Sequence, residues 1–259
     1  MKKSLNNFLD ELIDFFVFSI EAFKHLPENI INYDETLKNV VSIGVESFFI
    51  VVMTGFFFGM VMGMQLAGAL DSIIAGSAQY ISGGIAMANL KEIGPVLTSL
   101  IVVSRVCSSV TAHIGTMKVT EQIDALKTFS VNPIEFLVTP RLLAGMISLP
   151  LLGFFSILAS MIGGWIMVAF ISNIPSASYL QWAQYTIKLS HVYEAFFKLV
   201  IMGAFLLLIS TYYGFKTKGG AEGVGNATIK SVVVSSFTVI LLDYVIGAVV
   251  IFIKKSILR

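Results

Sequence analysis

The sequence is short of charge. Only 13% of its 259 residues are Asp, Glu, Lys or Arg, against 56% hydrophobic ones, and the mean hydropathy is +0.86. A soluble domain carries about 25% charged and about 45–50% apolar residues, so that class is excluded. The net charge of +1 removes the basic excess on which nucleic-acid binding depends. Cys107 is the lone cysteine; it cannot close a disulfide within the chain and reads as a small apolar filler in a span. His25, His113 and His191 are scattered, with neither H-E-x-x-H nor H-x-x-E-H spacing, so no metal site is expected. No serine sits in a G-x-S-x-G elbow, and Glu46, Glu92, Glu194 and Asp243 include no sequence-close pair suited to acid–base work. No catalytic residue is therefore assigned, and a lipid-modifying enzyme has no support. The Gly-rich stretch GGAEGVG at 219–225 is neither a P-loop nor a dinucleotide-binding turn. If ATP drives this protein, another chain must bind it. No cleavable signal peptide is expected either, because acidic residues interrupt the first apolar run.

What fills the chain is apolar sequence long enough to cross a bilayer, which takes about 20 residues per helix. Spans are expected at 40–66, 93–112, 141–171, 193–213 and 232–253. The third exceeds one crossing and must tilt, kink at Pro150 or begin in the interface. Residues 1–39 do not span. Leu5, Phe8, Leu9, Leu12, Ile13, Phe16, Ile20 and Phe23 recur on one helical face, and Asp10, Glu11, Asp14, Glu21 and Lys24 interrupt it. That pattern reads as an amphipathic helix lying in the interface and ended by Pro27. The chain thus divides into an interfacial helix, 1–39, and one all-α membrane domain, 40–259.

Within the domain, Gly55, Gly59, Gly63 and Ala67 lie four apart, a ridge suited to close helix packing and open to a lipid tail. Residues 67–90 are too polar to span and read as an outer helix and loop. Lys91 and Glu92 then precede the second span, with Pro95 in its first turn. Ser104, Arg105, Ser108, Ser109 and Thr111 should face protein or a cavity. Residues 172–190 form an outer connection whose Tyr179, Trp182 and Tyr185 suit an aromatic belt, and 214–230 reads as a Gly-rich loop. A carboxylate within a span must find a partner. Counted from the inner ends, Asp243 and Lys198 lie at depths of roughly 18 and 22 Å at 1.5 Å per residue, which predicts a structural ion pair between them. A functional role for Asp243 stays open.

Orientation follows the basic residues. With the amino terminus in the cytosol, Lys2, Lys3, Lys24, Lys38, Lys118, Lys127, Arg141, Lys216, Lys218 and Lys230 lie inside. Lys91, Lys188, Lys254, Lys255 and Arg259 then lie outside.

The longest central stretch without a membrane-grade run is 104–141, and within it a short helix is expected at 121–126. Thr120 is its predicted N-cap, Glu121 and Asp124 lie near its positive end, and Asn132-Pro133 stops it. Val119, Ile123 and Leu126 form one apolar stripe beside Gln122 and the charges. Such a helix fits a grip for a soluble partner or an ordinary loop. Thr139-Pro140 reads as the N-cap and first residue of the next helix.

Residues 91–100 (KEIGPVLTSL), 114–124 (IGTMKVTEQID), Asn132-Pro133 and Thr139-Pro140-Arg141 resemble the MlaE/YrbE-type permeases of bacterial MCE lipid transporters. Residues 217–226 (TKGGAEGVGN) and Leu242-Asp243-Tyr244 fit the same family, and the similarity runs in order from about Val40 to Ile253. The resemblance implies an inner-membrane ABC-transporter subunit, homodimeric, that moves phospholipid between the inner membrane and the envelope. It implies a cytosolic ATPase partner, itself dimeric, a periplasmic MCE-domain partner and no cofactor of the chain's own. It makes 121–126 a coupling helix between spans two and three, with Glu121, Gln122, Ile123, Asp124 and Leu126 at the ATPase and Ile123 and Leu126 filling a groove there. A pocket for acyl chains should be mostly apolar, lined by Met60, Met64 and Gln65 with Lys91 and Glu92 near its mouth. Two rivals remain: an ion-coupled secondary transporter, whose ion site would be Asp243, and a non-transporting scaffold of an envelope complex.

Overall fold

The computed structural model describes residues 2–27, 33–73, 81–172 and 175–257, and within them the regular elements are helices. They are α1 (Lys2–Lys24), α2 (Tyr33–Val40), α3 (Glu46–Ile73), α4 (Ile81–Ala88), α5 (Gly94–Val102), α6 (Ser108–Val119), α7 (Gln122–Thr128), α8 (Thr139–Ser172), α9 (Ser176–Thr186), α10 (Leu189–Phe215) and α11 (Gly220–Ile257). Single π-helical turns at Val41–Val45, Asn89–Ile93, Val103–Cys107 and Ile134–Val138 fuse neighbours into longer helices. Five of the resulting helices are long and apolar enough to cross a membrane: Tyr33–Ala67, Ser82–Val119, Ile134–Phe170, Leu189–Phe215 and Gly220–Ser256. The protein is an all-α membrane protein with five candidate spans.

The helices outrun the apolar runs that announce them. The second span begins well before Ile93, because 81–90, from the stretch read as outer helix and loop, is helical and continues through a π-turn at Asn89–Ile93 into α5. Lys91 and Glu92 are therefore not at a helix end, and Pro95 is not in a first turn. Thr139 is likewise inside a helix that starts at Ile134. Its hydroxyl donates to the Ala22 carbonyl at 3.3 Å, and the starting residue is Asn132, whose Oδ1 accepts the Ile134 N–H at 3.0 Å. The Gly-rich loop shrinks as well. Gly219 and Gly220 take the positive φ angles of the turn, 92° and 68°, and Gly223, in the first turn of α11, lets the Lys218 carbonyl approach where a Cβ would collide. Tyr179 leaves the aromatic belt: it is 3% exposed and donates to the Met161 carbonyl at 3.1 Å. Burial pushes its phenol up to about 12.

The chain forms two compact units. One draws on Met1–Ile43, Val102–Ile147 and Gly203–Val239. Its interior packs Ala22, Val138, Leu142, Ala204 and Leu208 with Phe15 and Phe18 of α1. A neighbouring cluster joins Ile114, Ile123 and Leu137 with Leu126 and Phe215. α1 is fastened by its polar side: the Tyr212 hydroxyl donates to the Glu11 carbonyl at 3.0 Å, Lys230 bonds Glu11 at 2.7 Å and Lys216 bonds Asp14 at 2.8 Å. Leu9, Leu12, Ile13, Phe16, Ile20 and Phe23 stay exposed, which is the stripe the sequence marks for the interface. The side chains of Leu5 and Phe8 lie outside the described residues.

The other unit draws on Gly44–Ile101, Ser148–Met202 and Ile240–Arg259. Here the glycine ridge of α3 meets α8. A Cβ on Gly55 would stand 2.6 Å from the Ser156 carbonyl oxygen, one on Gly59 would overlap the Ser160 carbonyl, and one on Gly63 would stand 2.9 Å from that of Gly164. The two backbones approach closely because three successive turns lack a side chain. Ala67, Ile85, Val168 and Tyr179 extend the core, as do Leu90, Ile157 and Ala195.

Candidate functional site

The chemistry of the second unit gathers around Lys198 on α10. Its side chain is 0% exposed, and its Nζ meets Glu92 Oε2 and Asp243 Oδ1, each at 2.9 Å. The third acceptor is the backbone carbonyl of Lys91 at 2.8 Å. Pro95 accounts for that carbonyl: it has no N–H to return to the residue four back, and the π-turn at Asn89–Ile93 sits over the gap. An ammonium has three donors, and all three are used. Two carboxylates share the one cation, and the Glu92 side chain is half exposed. Gly247, one turn beyond Asp243 on α11, lies beside the cluster; a Cβ there would make ordinary contact with Glu92 Oε1 at 3.8 Å. The cluster is thus a saturated lysine with a carboxylate edge turned outward.

The structure brings Lys198 and Asp243 together at the expected contact, and adds Glu92 as a third member. Glu92 was hidden by the helix boundary: a residue placed at the outer end of a span has no reason to meet one placed within it. The signal that could have found it is Pro95, which marks a carbonyl in need of a donor. Of the other pocket candidates, Met64 and Gln65 are exposed and Met60 and Lys91 partly buried. Two hollows of about 430 and 370 Å³ lie in the first unit, and neither is lined by Met60, Met64, Gln65, Lys91 or Glu92. Among the described residues no three His, Cys, Asp or Glu side chains gather as a metal site.

The helix at 121–126 is present as α7, with different ends. Thr120 does not N-cap it. Thr120 closes α6, its N–H and its hydroxyl both donating to the Thr116 carbonyl. The N-cap is Glu121, held at a left-handed φ of 61° with no side-chain cap. Ile123 is 1% exposed and Leu126 packs beside it against Ile114 and Leu137. Ile123 is taken up by the chain's own core and is not open to a partner's groove, while Leu126 stays partly exposed beside it. That anchoring leaves Glu121, Gln122, Asp124, Ala125 and Thr128 on the outer side, with Phe129, 79% exposed, at its end. Asp124 is bonded by Lys118 at 3.0 Å and by Lys127 at 3.4 Å. The Lys118 bond holds the Asp124 carboxyl below its ordinary value of 3.8, against a smaller opposing effect of desolvation. A lowered carboxyl pKa adds stability above that value and loses it only as pH falls below it, so the pair is intact at neutral pH.

The comparisons with known proteins agree with one another. The family model described as Permease MlaE matches residues 36–249. A probable ABC transporter permease protein of Synechocystis is 33% identical over 243 residues, 94% of this chain and 92% of its own. One of Rickettsia typhi is 34% identical over 232 residues, 90% of this chain and 89% of its own. One of Porphyra purpurea is 38% identical over 204 residues, 78% and 76% of the two chains.

Proposed function

The chain belongs to the MlaE permease family and is the permease subunit of an ABC transporter, ATP hydrolysis residing in a separate subunit; from that premise we propose that its cargo is phospholipid, moved between the inner membrane and the envelope. The observation that carries the reading is the Lys198–Glu92–Asp243 cluster, a charged group with one exposed carboxylate set into candidate spans. Ionisable residues in spans are costly and mark pathways. A lipid headgroup offers ammonium, hydroxyl or phosphate to such an edge, while acyl chains need only the apolar flanks that Met60 and Met64 supply. Lys91, beside the cluster, is the cation for a phosphate. The chain works as a homodimer in the inner membrane, its amino terminus cytosolic, with an MCE-domain protein on the periplasmic side. α1 lies in the interface on its exposed apolar stripe.

Coupling runs through α7. Ile123 and Leu126 fix it to the chain, and Glu121, Gln122, Asp124 and Phe129 meet the ATPase. In sequence, the span Ser82–Val119 carries the Asn89–Ile93 turn and leads into α7. A π-turn at a proline is a place where such a helix can re-form its hydrogen bonds. In this reading ATP binding and hydrolysis shift that helix and open or collapse the lipid pocket.

The test places photo-crosslinking residues at Gln65, Lys91 and Glu92 in the complex reconstituted in vesicles. Phospholipid should be captured at these three and far less at Trp182. Equal labelling at all four positions would remove the pocket.

A further inference from the structure

A second polar hollow lies apart from the cluster just described, within the first unit. It is about 370 Å³, and Lys216, Lys218 and Lys230 line it with Tyr213, Thr217 and Asn226; Glu11 is the lone carboxylate in its wall. Three ammonium groups against one carboxylate leave the wall positive. Lys230 is bonded to Glu11 and stands 4.9 Å from the Tyr213 ring centroid, and Lys216 is bonded to Asp14. Lys218, exposed at the turn, has no carboxylate partner among the described residues. The first turn of α11 begins here, behind the left-handed pair Gly219 and Gly220, and its N–H groups add partial positive charge. Glu222 sits in that turn but does not line the hollow.

α1 says what kind of anion fits. Its Glu11 forms one wall, and Ile13, Phe16 and Ile20 on the same helix are exposed to whatever surrounds the protein. A ligand seated here meets positive charge at its head, on the polar side of a helix whose opposite face, with Ile13, Phe16 and Ile20, is the exposed apolar stripe. The volume lies at the low end for a small-molecule site, sized for a headgroup and not for a whole lipid. Sugars and neutral headgroups would leave Lys218 unpaired, and a zwitterionic one would bring its ammonium against the lysines. We propose that the hollow at the α10–α11 turn binds the phosphate of an anionic phospholipid, a resident lipid distinct from any transported one, which clamps α1 to the turn. Lys218 supplies the open charge, while Thr217 and Asn226 supply neutral polar contacts.

Full-length protein in nanodiscs of phosphatidylglycerol and phosphatidylcholine, released and weighed intact by native mass spectrometry, tests this. Retained phosphatidylglycerol should exceed its share of the bilayer. Lys218→Gln, an exposed change that leaves both ion pairs of α1 in place, should lower that retention about fivefold, the value of one basic residue at an anionic surface. Lys188→Gln, outside the hollow, should leave it unchanged. Glycerol 3-phosphate and inorganic phosphate, added to the wild-type discs, separate the sources: a lipid site keeps its phosphatidylglycerol, whereas displacement by either means a soluble phosphate is the ligand and overturns the lipid assignment. Retention unaltered by Lys218→Gln overturns the site. So does loss of ATPase association in that variant with lipid unchanged, since the lysine would then serve a protein contact. None of these outcomes depends on transport, so the proposal fails or stands apart from the permease reading.

Discussion

Lys198 is 0% exposed and has no spare donor, so its three partners are unequal in what their loss does. Lys198→Met leaves two carboxylates facing each other without a cation; breaking a buried pair in this way costs about 3–5 kcal/mol. Asp243→Asn keeps one carboxylate and one ammonium in contact, and the amide oxygen still accepts, so the cost is about 1–2 kcal/mol. Glu92→Gln acts at a half-exposed side chain and costs about 0–1 kcal/mol. A chain of this size shifts its melting temperature by about 2–4 °C per kcal/mol. Thermal unfolding in detergent should therefore rank Lys198→Met well below Asp243→Asn, with Glu92→Gln close to wild type. The double variant Lys198→Met with Asp243→Asn should lose less than the sum, because the second change removes a charge the first had orphaned. Additive losses, or a Glu92→Gln as damaging as Lys198→Met, would contradict the geometry at this site.

Single helices show where the sequence could be read and where it could not. The glycine ridge of α3 was legible because a four-residue spacing places Gly55, Gly59 and Gly63 on one line without any knowledge of the partner. The consequence is a sharp contrast between two glycines. Gly59→Ala forces a methyl group into the Ser160 carbonyl and should destabilise by about 1–3 kcal/mol. Gly225→Ala, inside α11 where nothing lies within 4 Å, should stabilise by up to about 1 kcal/mol through helix propensity and the unfolded chain. Melting temperatures moving in the same direction for both would defeat that account. Helix ends were harder, and for one reason. Glu92, Asn89 and the glycines before α11 look like the end of an apolar run, yet Lys198, Ser160 and a pair of positive-φ glycines accept them inside or beside a helix. Lys198 and Ser160 are distant in sequence from Glu92 and Asn89, so no local pattern reports them. At α7, periodicity shows that Ile123 and Leu126 share a face but not whether the chain itself or a partner covers it; the core of the chain covers Ile123.

For the whole transporter, the question is what a permease must present to an ATPase that it cannot afford to lose to its own fold. In the proposed coupling, α7 presents a helix whose apolar side is committed inward and whose other side is exposed. Glu121 sharpens the point, since a non-glycine residue held at φ 61° costs about 1 kcal/mol or more. Glu121→Gly should therefore raise thermal stability slightly while weakening ATPase association. Stability and function would move in opposite directions at one residue. Glu121→Lys keeps the strain, costs the helix only about 0.3–1 kcal/mol through its dipole, and sets a repulsive charge at the docked surface. It should leave expression, oligomeric state and bound lipid near normal while the ATPase dissociates or its hydrolysis uncouples from lipid movement. Phe129→Ser removes a ring that is 79% exposed; as an aromatic anchor in an interface its loss should weaken association by about 2 kcal/mol, roughly thirtyfold. The comparison is Lys188→Glu, in the connection before α10, with ATPase co-purification and coupled transport measured on all four. If Glu121→Lys and Phe129→Ser both retain the ATPase and transport normally, α7 is an ordinary connecting helix and the drive must enter the permease elsewhere.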